Sequence, residues 1–181
     1  MRCLVPLALA ISAAVASAQP DLTEPGVTFR VYHIGYPMDR LHPLAPNQTP
    51  NIDERRDTID FTDPEDFGPF EDYYVVEVLT DLIIEQDGLY AFRLTSDDGS
   101  RLTIDGQHVI AHDGLHAATA RTALKDLAPG PHSLRIQMFE NAGEAALKLE
   151  WRRPGEAEFS VIPTTWVQVE KGITRVVSPG V

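Results

Sequence analysis

Apolar and polar residues alternate with a period of two in many short segments between residues 27 and 169. Successive side chains of a β-strand point to opposite faces of the sheet, so this period is typical of half-buried strands. In the segment His132–Phe139, for example, Leu134, Ile136 and Met138 alternate with polar residues. The pattern predicts strands at Val27–Ile34, Tyr73–Thr80, Leu89–Thr95, Arg101–Ile104, Gln107–Ala111, Thr119–Leu127, His132–Phe139, Ala145–Trp151, Phe159–Ile162 and Trp166–Val169. Short strands that recur between glycine turns indicate an all-β fold, an antiparallel β-sandwich or barrel.

The segments between the predicted strands carry signals of their own. Asp105-Gly106 lies between two apolar pairs and predicts a hairpin, because a type I′ turn needs positive φ at both central residues. Gly35–Pro50 contains four prolines and is predicted to be a loop. Asn51–Phe70 is acidic with one apolar patch, Ile59–Phe61, and no strand is predicted there. The pattern predicts no helix of useful length.

Both ends of the chain differ from the strand-rich middle. Met1–Ala18 is predicted to be a cleaved secretory signal peptide, because Arg2 precedes a short apolar run and Ala16-Ser17-Ala18 matches an A-x-A cleavage site. A membrane anchor is the alternative, but a spanning helix needs about 20 apolar residues. The predicted organisation is a signal peptide at 1–18, a linker at 19–26, one β-sandwich domain at 27–171, and a tail or the start of a linker to downstream domains at 172–181. We therefore expect a secreted, periplasmic or cell-surface protein whose mature chain does not insert into a membrane.

The composition narrows the chemistry. The only cysteine, Cys3, lies inside the predicted signal, so no disulfide, thiolate metal site or cysteine nucleophile is expected in the mature chain. Arg2 is the only charged residue of the first 18, so the remainder has 14 basic and 27 acidic residues and a formal net charge of −13. This charge disfavours nucleic acid and anionic membranes as partners. It is compatible with calcium, which prefers carboxylate oxygens, although plain solubility explains bulk charge equally well.

Asp97-Asp98-Gly99 is the stretch that bears most on function. Neighbouring side chains of an extended strand point to opposite faces, so two consecutive aspartates either decorate a loop or are bent towards one point. Aspartate is common in turns because its side chain caps the backbone, and that interpretation needs no ligand. If both carboxylates reach one point, they form the kind of site that calcium prefers.

An ordered series of motifs resembles the PA-fourteen domain, the β-sandwich named for the fourteen-kilodalton piece of anthrax protective antigen. The resemblance runs from about Val27 to Val169 and is strongest over residues 87–102. The motifs that follow are Ile104-Asp105-Gly106, His112-Asp113-Gly114, Leu127, Pro129-Gly130, Met138-Phe139-Glu140-Asn141 and Ala146–Trp151. Residues 28–70 match less well. The resemblance implies an antiparallel β-sandwich of the PA-fourteen type.

The same resemblance implies a lectin-like, carbohydrate-associated role, because relatives occur in adhesins, in toxins and as accessory domains of glycosidases. In the sugar-binding relatives, two adjacent aspartates joined by a cis peptide and an asparagine from a later loop hold one calcium ion, which binds sugar hydroxyls directly. Asp97 and Asp98 stand at the place of the pair, and Asn141 stands where the asparagine is expected. The resemblance therefore implies calcium as cofactor, with Asp97, Asp98 and Asn141 as metal ligands and sugar-binding residues. Calcium takes about six to eight oxygen ligands, so such a site leaves positions for vicinal hydroxyls.

The loop after the predicted hairpin carries further candidates. His112, Asp113 and His116 are expected to shape or contact the glycan pocket, with ordinary surface residues as the alternative. His108, His112 and His116 recur every four residues, which suggests a metal-binding face only on a helix. The pattern here predicts strand and loop, so a transition-metal site is not favoured.

Motifs for catalysis are lacking in the sequence. It contains no Gly-x-Ser-x-Gly elbow, phosphate loop or dinucleotide fingerprint. Two carboxylates that share a calcium ion both stay ionised, so they do not supply the separated acid and base of a glycosidase. The sequence therefore predicts a non-catalytic, exported carbohydrate-binding module with a glycan or polysaccharide as partner. The alternative is a structural or protein-interaction domain without glycan binding, such as the accessory N-terminal module of a larger exported enzyme; a small hydrolase is the least favoured.

Overall fold

The structure is built almost entirely from β-strands. The computed structural model describes residues 22–172 and the backbone of residues 176–177, so the predicted signal peptide lies outside the described residues. Numbered in chain order, the strands are β1 (Thr23–Pro25), β2 (Val27–His33), β3 (Ile52–Arg56), β4 (Asp60–Phe61), β5 (Tyr74–Ile84), β6 (Gly88–Asp97), β7 (Ser100–Ile104), β8 (Gln107–His112), β9 (Thr119–Leu127), β10 (Gly130–Glu140), β11 (Ala146–Arg152), β12 (Ser160–Val161), β13 (Val167–Glu170) and β14 (Val176–Val177). Two 3-10 segments, Pro64–Phe67 and Thr164–Trp166, are the helical elements of these residues. Neither approaches the length or apolar character needed to cross a membrane. The all-β prediction is confirmed.

The strands form two antiparallel sheets. The larger sheet has the order β14-β3-β2-β5-β10-β7-β8, and β13 pairs with β5 and with β1 at its side. The smaller sheet has the order β12-β11-β6-β9, with β4 beside β11. Because β6 lies in the smaller sheet and β7 in the larger one, the chain passes from one sheet to the other between these two strands. This crossing positions the candidate site.

The hydrophobic core lies between the two sheets. Phe29 and Ile136 of the larger sheet and Phe92 and Leu149 of the smaller sheet are fully buried. Burial of a side chain of this size contributes about 1.5–3 kcal/mol, so a core of this extent holds the fold together without disulfides. The side chains at alternate positions of β10 are buried, as the sequence pattern predicts: Leu134, Ile136 and Met138.

Each strand predicted from the alternation is present, with shifts at its ends. The predicted hairpin is also confirmed, because Asp105 and Gly106 have φ of 51° and 73°. The Asp105 side chain does more than turn the chain: its Oδ1 accepts a hydrogen bond from Ser133 N at 3.0 Å. The hairpin is therefore fastened to the start of β10.

Four strands are not predicted by the sequence pattern. β3 is charged, and its buried Glu54 pairs with Arg56 at 2.6 Å, so an ion pair occupies positions where apolar residues are expected. β4 has only two residues. β1 lies within the predicted linker at 19–26, and β14 lies within the predicted tail at 172–181. They form strands because β13 and β3 offer hydrogen-bonding partners far along the chain.

Candidate functional site

The candidate site lies where the chain crosses between the sheets. β6 ends at Asp97 and β7 begins at Ser100, so only Asp98 and Gly99 make the crossing. The Asp97–Asp98 peptide bond is cis, in agreement with the resemblance. Asp98 N donates to Phe139 O at 3.2 Å, and Phe139 N donates to Gly99 O at 3.0 Å. These two bonds fix the crossing beside the end of β10.

Gly99 suits this crossing because a side chain has no room there. A Cβ on Gly99 would lie 2.6 Å from Gly114 N and from a ring carbon of Phe139, and 2.8 Å from Gly114 O. Non-bonded carbon atoms prefer separations of about 3.5–4.0 Å, so these distances are severe clashes. The missing side chain lets the loop around Gly114 lie directly on the crossing.

Asp98 organises the backbone around it. Its side chain is buried, Oδ1 accepts a hydrogen bond from His116 N, and Oδ2 accepts one from Asn141 N, both at 3.0 Å. A carboxylate oxygen has further lone pairs, so both oxygens remain able to bind a cation. Asp98 therefore joins the loop that follows β8 to the residue that follows β10.

Three carboxylates meet at the crossing. One oxygen from each of Asp97, Asp98 and Glu140 lies within 4.8 Å of the others. Glu140 is completely buried, and neither of its carboxylate oxygens has a hydrogen-bond partner among the described residues. Burial, followed by the charges of Asp98, Asp97 and Asp72, raises the pKa of Glu140 to about 8. The Asp98 N–H lowers the pKa of Glu140 only slightly, because this group donates its hydrogen bond to Phe139 O.

Asp97 is held in the same electrostatic environment. Burial and the neighbouring Asp98 raise the pKa of Asp97, while a hydrogen bond from the Ala118 backbone lowers it. Three buried or half-buried acids so close together repel one another when ionised. Either protons or a cation must relieve that repulsion.

The donor set fits a hard cation. Carboxylate and carbonyl oxygens are the ligands that calcium prefers, and the oxygens of Glu140 that lack partners are free to take that role. Thiolates, which zinc prefers, are absent from the described residues, and no histidine is part of this cluster. Asp97, Asp98 and Glu140 are therefore the residues best placed to hold such an ion.

Asn141 lies beside these carboxylates. Its backbone N–H binds Asp98, and its side-chain Oδ1 accepts a hydrogen bond from Met38 N at 2.9 Å. An amide oxygen has two lone pairs, so this bond leaves one for a cation. The structure thus brings Asn141 next to Asp98, and its role as a ligand stays a prediction.

The protein-family model of the PA14 domain matches residues 24–165. This chain belongs to the PA14 domain family. It is the PA-fourteen family that the motifs between residues 87 and 151 resemble, so that prediction is confirmed. No curated protein matches the chain.

Solved PA14 domains share the fold of this chain. The PA14 domain of the MpAFP antifreeze protein has a TM-score of 0.70 at 15% sequence identity, over 86% of this chain and 96% of that one. The PA14 sugar-binding domain from an RTX adhesin has a TM-score of 0.63 at 22% identity, over 82% of this chain and 99% of that one. The Epithelial Adhesin 9 A domain from Candida glabrata, in complex with Galb1-3GlcNAc, has a TM-score of 0.57 at 11% identity, over 90% and 94%. At these identities the similarity shows the fold.

The remaining predicted site residues of this PA14 domain lie in the loop after β8. The rings of His112 and His116 stack on each other, with centroids 3.8 Å apart, and burial lowers the pKa of His112. Asp113 Oδ1 accepts hydrogen bonds from Leu41 N at 2.7 Å and from Gly114 N at 3.0 Å. Within the described residues these three side chains therefore shape the loop and hold its neighbours, and they are not part of the carboxylate cluster.

Glu140 is the site residue that sequence reasoning missed in this PA14 domain. A signal for it exists, because Glu140 continues the inward-facing positions of β10 after Leu134, Ile136 and Met138. A carboxylate at an inward position of a predicted strand end is a buried charge, and a buried charge needs a partner. Extending the alternating pattern of β10 by one position therefore predicts the buried Glu140.

Proposed function

We propose that this PA14 domain is an exported carbohydrate-binding module that recognises glycans through a bound calcium ion. The observation that carries the proposal is the buried carboxylate of Glu140, which lacks a hydrogen-bond partner among the described residues and faces two aspartates. Asp97, Asp98 and Glu140 would supply carboxylate oxygens to the ion, and Asn141 its amide oxygen. A cation at this place would offset the repulsion that raises the pKa values of Asp97 and Glu140.

The ion would also supply the link to a sugar. Calcium takes about six to eight oxygen ligands, more than these side chains provide, and vicinal hydroxyls of a pyranose can fill the remaining positions. The chain itself would hold the ion at the crossing between the sheets and present one side of it to solvent. Two of the structural neighbours, the sugar-binding domain from an RTX adhesin and the Epithelial Adhesin 9 A domain in complex with Galb1-3GlcNAc, support this choice of ligand.

The test is glycan binding with and without calcium. The full chain is applied to a glycan array in calcium and again in EDTA, and any bound sugar is followed by calorimetry. We expect binding in calcium, loss of binding in EDTA, and loss of binding in Asp98→Asn, which keeps the volume but removes a charge. Asp126→Asn, an exposed aspartate on β9, is the matched control and should bind as the wild type does. Glycan binding that persists in EDTA or in Asp98→Asn would contradict the proposal.

A second candidate function is favoured by the bonds of Asp98. Because both of its oxygens accept backbone N–H groups, the residue shapes loops even without an ion. In that case the domain is a structural or protein-contact module. Its signature is an Asp98→Asn variant that unfolds at lower temperature by the same amount in calcium and in EDTA, together with an empty glycan array.

A further inference from the structure

The outer face of the larger sheet carries a cavity of about 690 Å³. Side chains that alternate with the buried core residues supply much of its lining, among them Thr28 of β2, Leu79 of β5, Arg101 of β7, Arg135 of β10 and Gln168 of β13. The cavity shares no residue with the carboxylate cluster at the crossing. Its volume is within the usual range of ligand pockets, about 300–1,000 Å³. It is therefore a candidate site of its own.

Arg101 is a half-buried cation in this cavity whose charge has no counterpart. Seven arginines of the described residues form ion pairs with carboxylates, and two of them, Arg30 and Arg135, line the same cavity. The Arg101 side chain has no hydrogen bond, ion pair or ring contact with another described residue. The chain has 27 acidic and 15 basic residues, so carboxylates are not scarce. The fork of a guanidinium matches a carboxylate, and Arg101 is free to bind one from a ligand.

The other side of the cavity is negative. Asp81 and Glu170 line it, both side chains are exposed, and neither forms an ion pair with another described residue. In the register of the sheet, Gln137 of β10 lies opposite Arg101. Ser133 of the same strand lies opposite Asp81. Two strand spacings and four residues of β10 thus separate the Cα atoms of Arg101 and Asp81, which corresponds to about 17 Å.

The middle of the cavity suits a ligand with amide groups. The Gln137 side chain has no hydrogen bond to another described residue, so both its amide donor and its amide acceptor are free. A peptide group needs one donor and one acceptor of this kind. Leu79, which lies between Thr28 and Arg135 in the register, is half-buried and provides an apolar floor.

The backbone of the cavity floor offers no place for an added strand. β5 pairs with β10 on one side and with β2 and β13 on the other, and β10 lies between β5 and β7. β7 in turn lies between β10 and β8. Strand addition needs an unpaired edge, so a ligand here is recognised by its charges and amide groups through side chains.

We propose that this cavity binds a short peptide with free ends. Its terminal carboxylate pairs with Arg101, and its terminal ammonium pairs with Asp81 and Glu170. The side chains of the protein occupy part of the distance between the two charged sides. A peptide of three residues extends about 10 Å and spans the rest. The site needs no calcium, so it gives the domain a second class of ligand that is independent of the proposed function.

The test compares a tripeptide with its blocked forms. The affinity of the full chain in EDTA is measured by calorimetry for tri-alanine with free ends, for N-acetylated tri-alanine and for tri-alanine amide. We expect tri-alanine to bind and each blocked form to bind about two- to tenfold more weakly, because each block removes one ion pair. Equal binding of the three peptides, or no binding of tri-alanine, overturns the site.

Variants assign each end of the peptide to its side of the cavity. Arg101→Gln removes the difference between tri-alanine and its amide and keeps the effect of acetylation. Asp81→Asn combined with Glu170→Gln removes the effect of acetylation and keeps that of amidation. Arg121→Gln is the matched control, because Arg121 is an exposed arginine of β9 in the other sheet, and it changes neither effect. An effect of amidation that survives Arg101→Gln contradicts the assignment.

The same measurements separate this site from the proposed calcium site. Tri-alanine binds with equal affinity in calcium, in EDTA and in Asp98→Asn. A peptide affinity that falls in EDTA or in Asp98→Asn overturns a site independent of calcium. Loss of glycan binding leaves the peptide site standing, and loss of peptide binding leaves calcium-dependent glycan binding standing.

Discussion

Glu140 is the residue whose environment most needs a ligand. Its carboxylate is buried beside Asp97 and Asp98, and a buried charge without a partner is among the costliest arrangements in a protein. The same residue would be stabilising once a cation is bound. The contribution of Glu140 to the free energy of unfolding should therefore change sign between the protein without a cation and the protein with one bound.

Glu140→Gln tests that change of sign. The variant keeps the volume and places an amide donor beside the aspartates, and at pH 9 it also removes one negative charge, because that pH lies above the Glu140 pKa of about 8. In EDTA at pH 9 we therefore expect its free energy of unfolding to rise by about 1–3 kcal/mol. In calcium the variant should gain less stability than the wild type does, because one ligand charge is lost. Urea unfolding in both buffers measures this, with the exposed Glu158→Gln as control. A variant that is less stable in EDTA and keeps the full calcium effect would contradict the prediction.

His132, near the start of β10, makes the stability of the fold depend on pH. Burial lowers its pKa, but the hydrogen bonds of its ring to Asp105 at 2.6 Å and to Ala128 O at 2.8 Å raise it, and the net result is a pKa above the ordinary value of 6.5. The positive charge of Lys125 lowers the pKa of His132. The protonated ring donates from both nitrogens, so the folded state holds this proton more tightly than the unfolded state does.

The sign of the pH effect follows from that shift. The stabilisation by His132 is complete below pH 6.5 and is lost as the pH rises through the higher folded pKa. Urea unfolding of the wild type and His132→Gln at pH 5.5 and pH 8.5 should show a larger difference in free energy at the lower pH. His108→Gln is the control, since His108 is exposed and its Nδ1 contacts Thr103. A difference in the free energy of unfolding that grows as the pH rises would contradict the prediction.

The residues of the candidate site were predictable to different degrees. Asp97, Asp98 and Asn141 are visible in the sequence because the resemblance assigns them positions, and the structure brings them together. Glu140 was missed because glutamate at a strand end resembles a polar loop residue. Asp113 at the glycan pocket stays a prediction, and its bond to Leu41 N joins residues 72 positions apart, a contact that no local pattern reveals.

At the scale of elements, the crossing from β6 to β7 depends on its contact with a distant loop. Gly99→Ala would place a methyl group 2.6 Å from both Gly114 N and the Phe139 ring. Because two of the three contacts are backbone, they cannot move aside, and we expect a loss of about 1–3 kcal/mol in stability, with a matching loss of calcium affinity. Thermal unfolding and calcium titration measure the two effects.

Gly106→Asn is the control for this prediction. A Cβ at Gly106 would meet nothing within 4 Å, and asparagine tolerates its φ of 73°. The control should therefore lose less stability than Gly99→Ala does. If Gly99→Ala is as stable as Gly106→Asn, the contact between the crossing and the loop around Gly114 does not require glycine at position 99.

The strands were predictable where each carries its own alternating pattern. β6, β10 and β11 follow it closely because one face is buried in the core and the other meets solvent or polar neighbours. Four strands could not be predicted from the sequence pattern, because they are short or charged: β1, β3, β4 and β14. They form only when a neighbouring strand offers its edge. These strands depend on hydrogen bonds to distant partner strands, and a short window of sequence does not contain those partners.

On the scale of the whole molecule, the carboxylate cluster joins the two sheets. Asp97 ends β6 of the smaller sheet, and Glu140 ends β10 of the larger one. Without a cation, these two strand ends repel each other whenever Glu140 is ionised. A bound ion would connect one sheet to the other at this end of the sandwich, a role that disulfides serve in many secreted domains.

This connection predicts where calcium slows amide exchange. If the strand ends open only after the ion leaves, calcium at 100 times its Kd should slow exchange there by about 100-fold. The slowing should include residues 94–98 and residues 138–141, one segment from each sheet. The opposite end of the sandwich, around Gly88 and Gly130, should exchange at the same rate in calcium and in EDTA, because both turns lie at the far ends of β6 and β10. Hydrogen exchange followed by mass spectrometry measures both ends at once, and Asp98→Asn should lose the effect. Slowing confined to one sheet would show that an ion binds without joining the two.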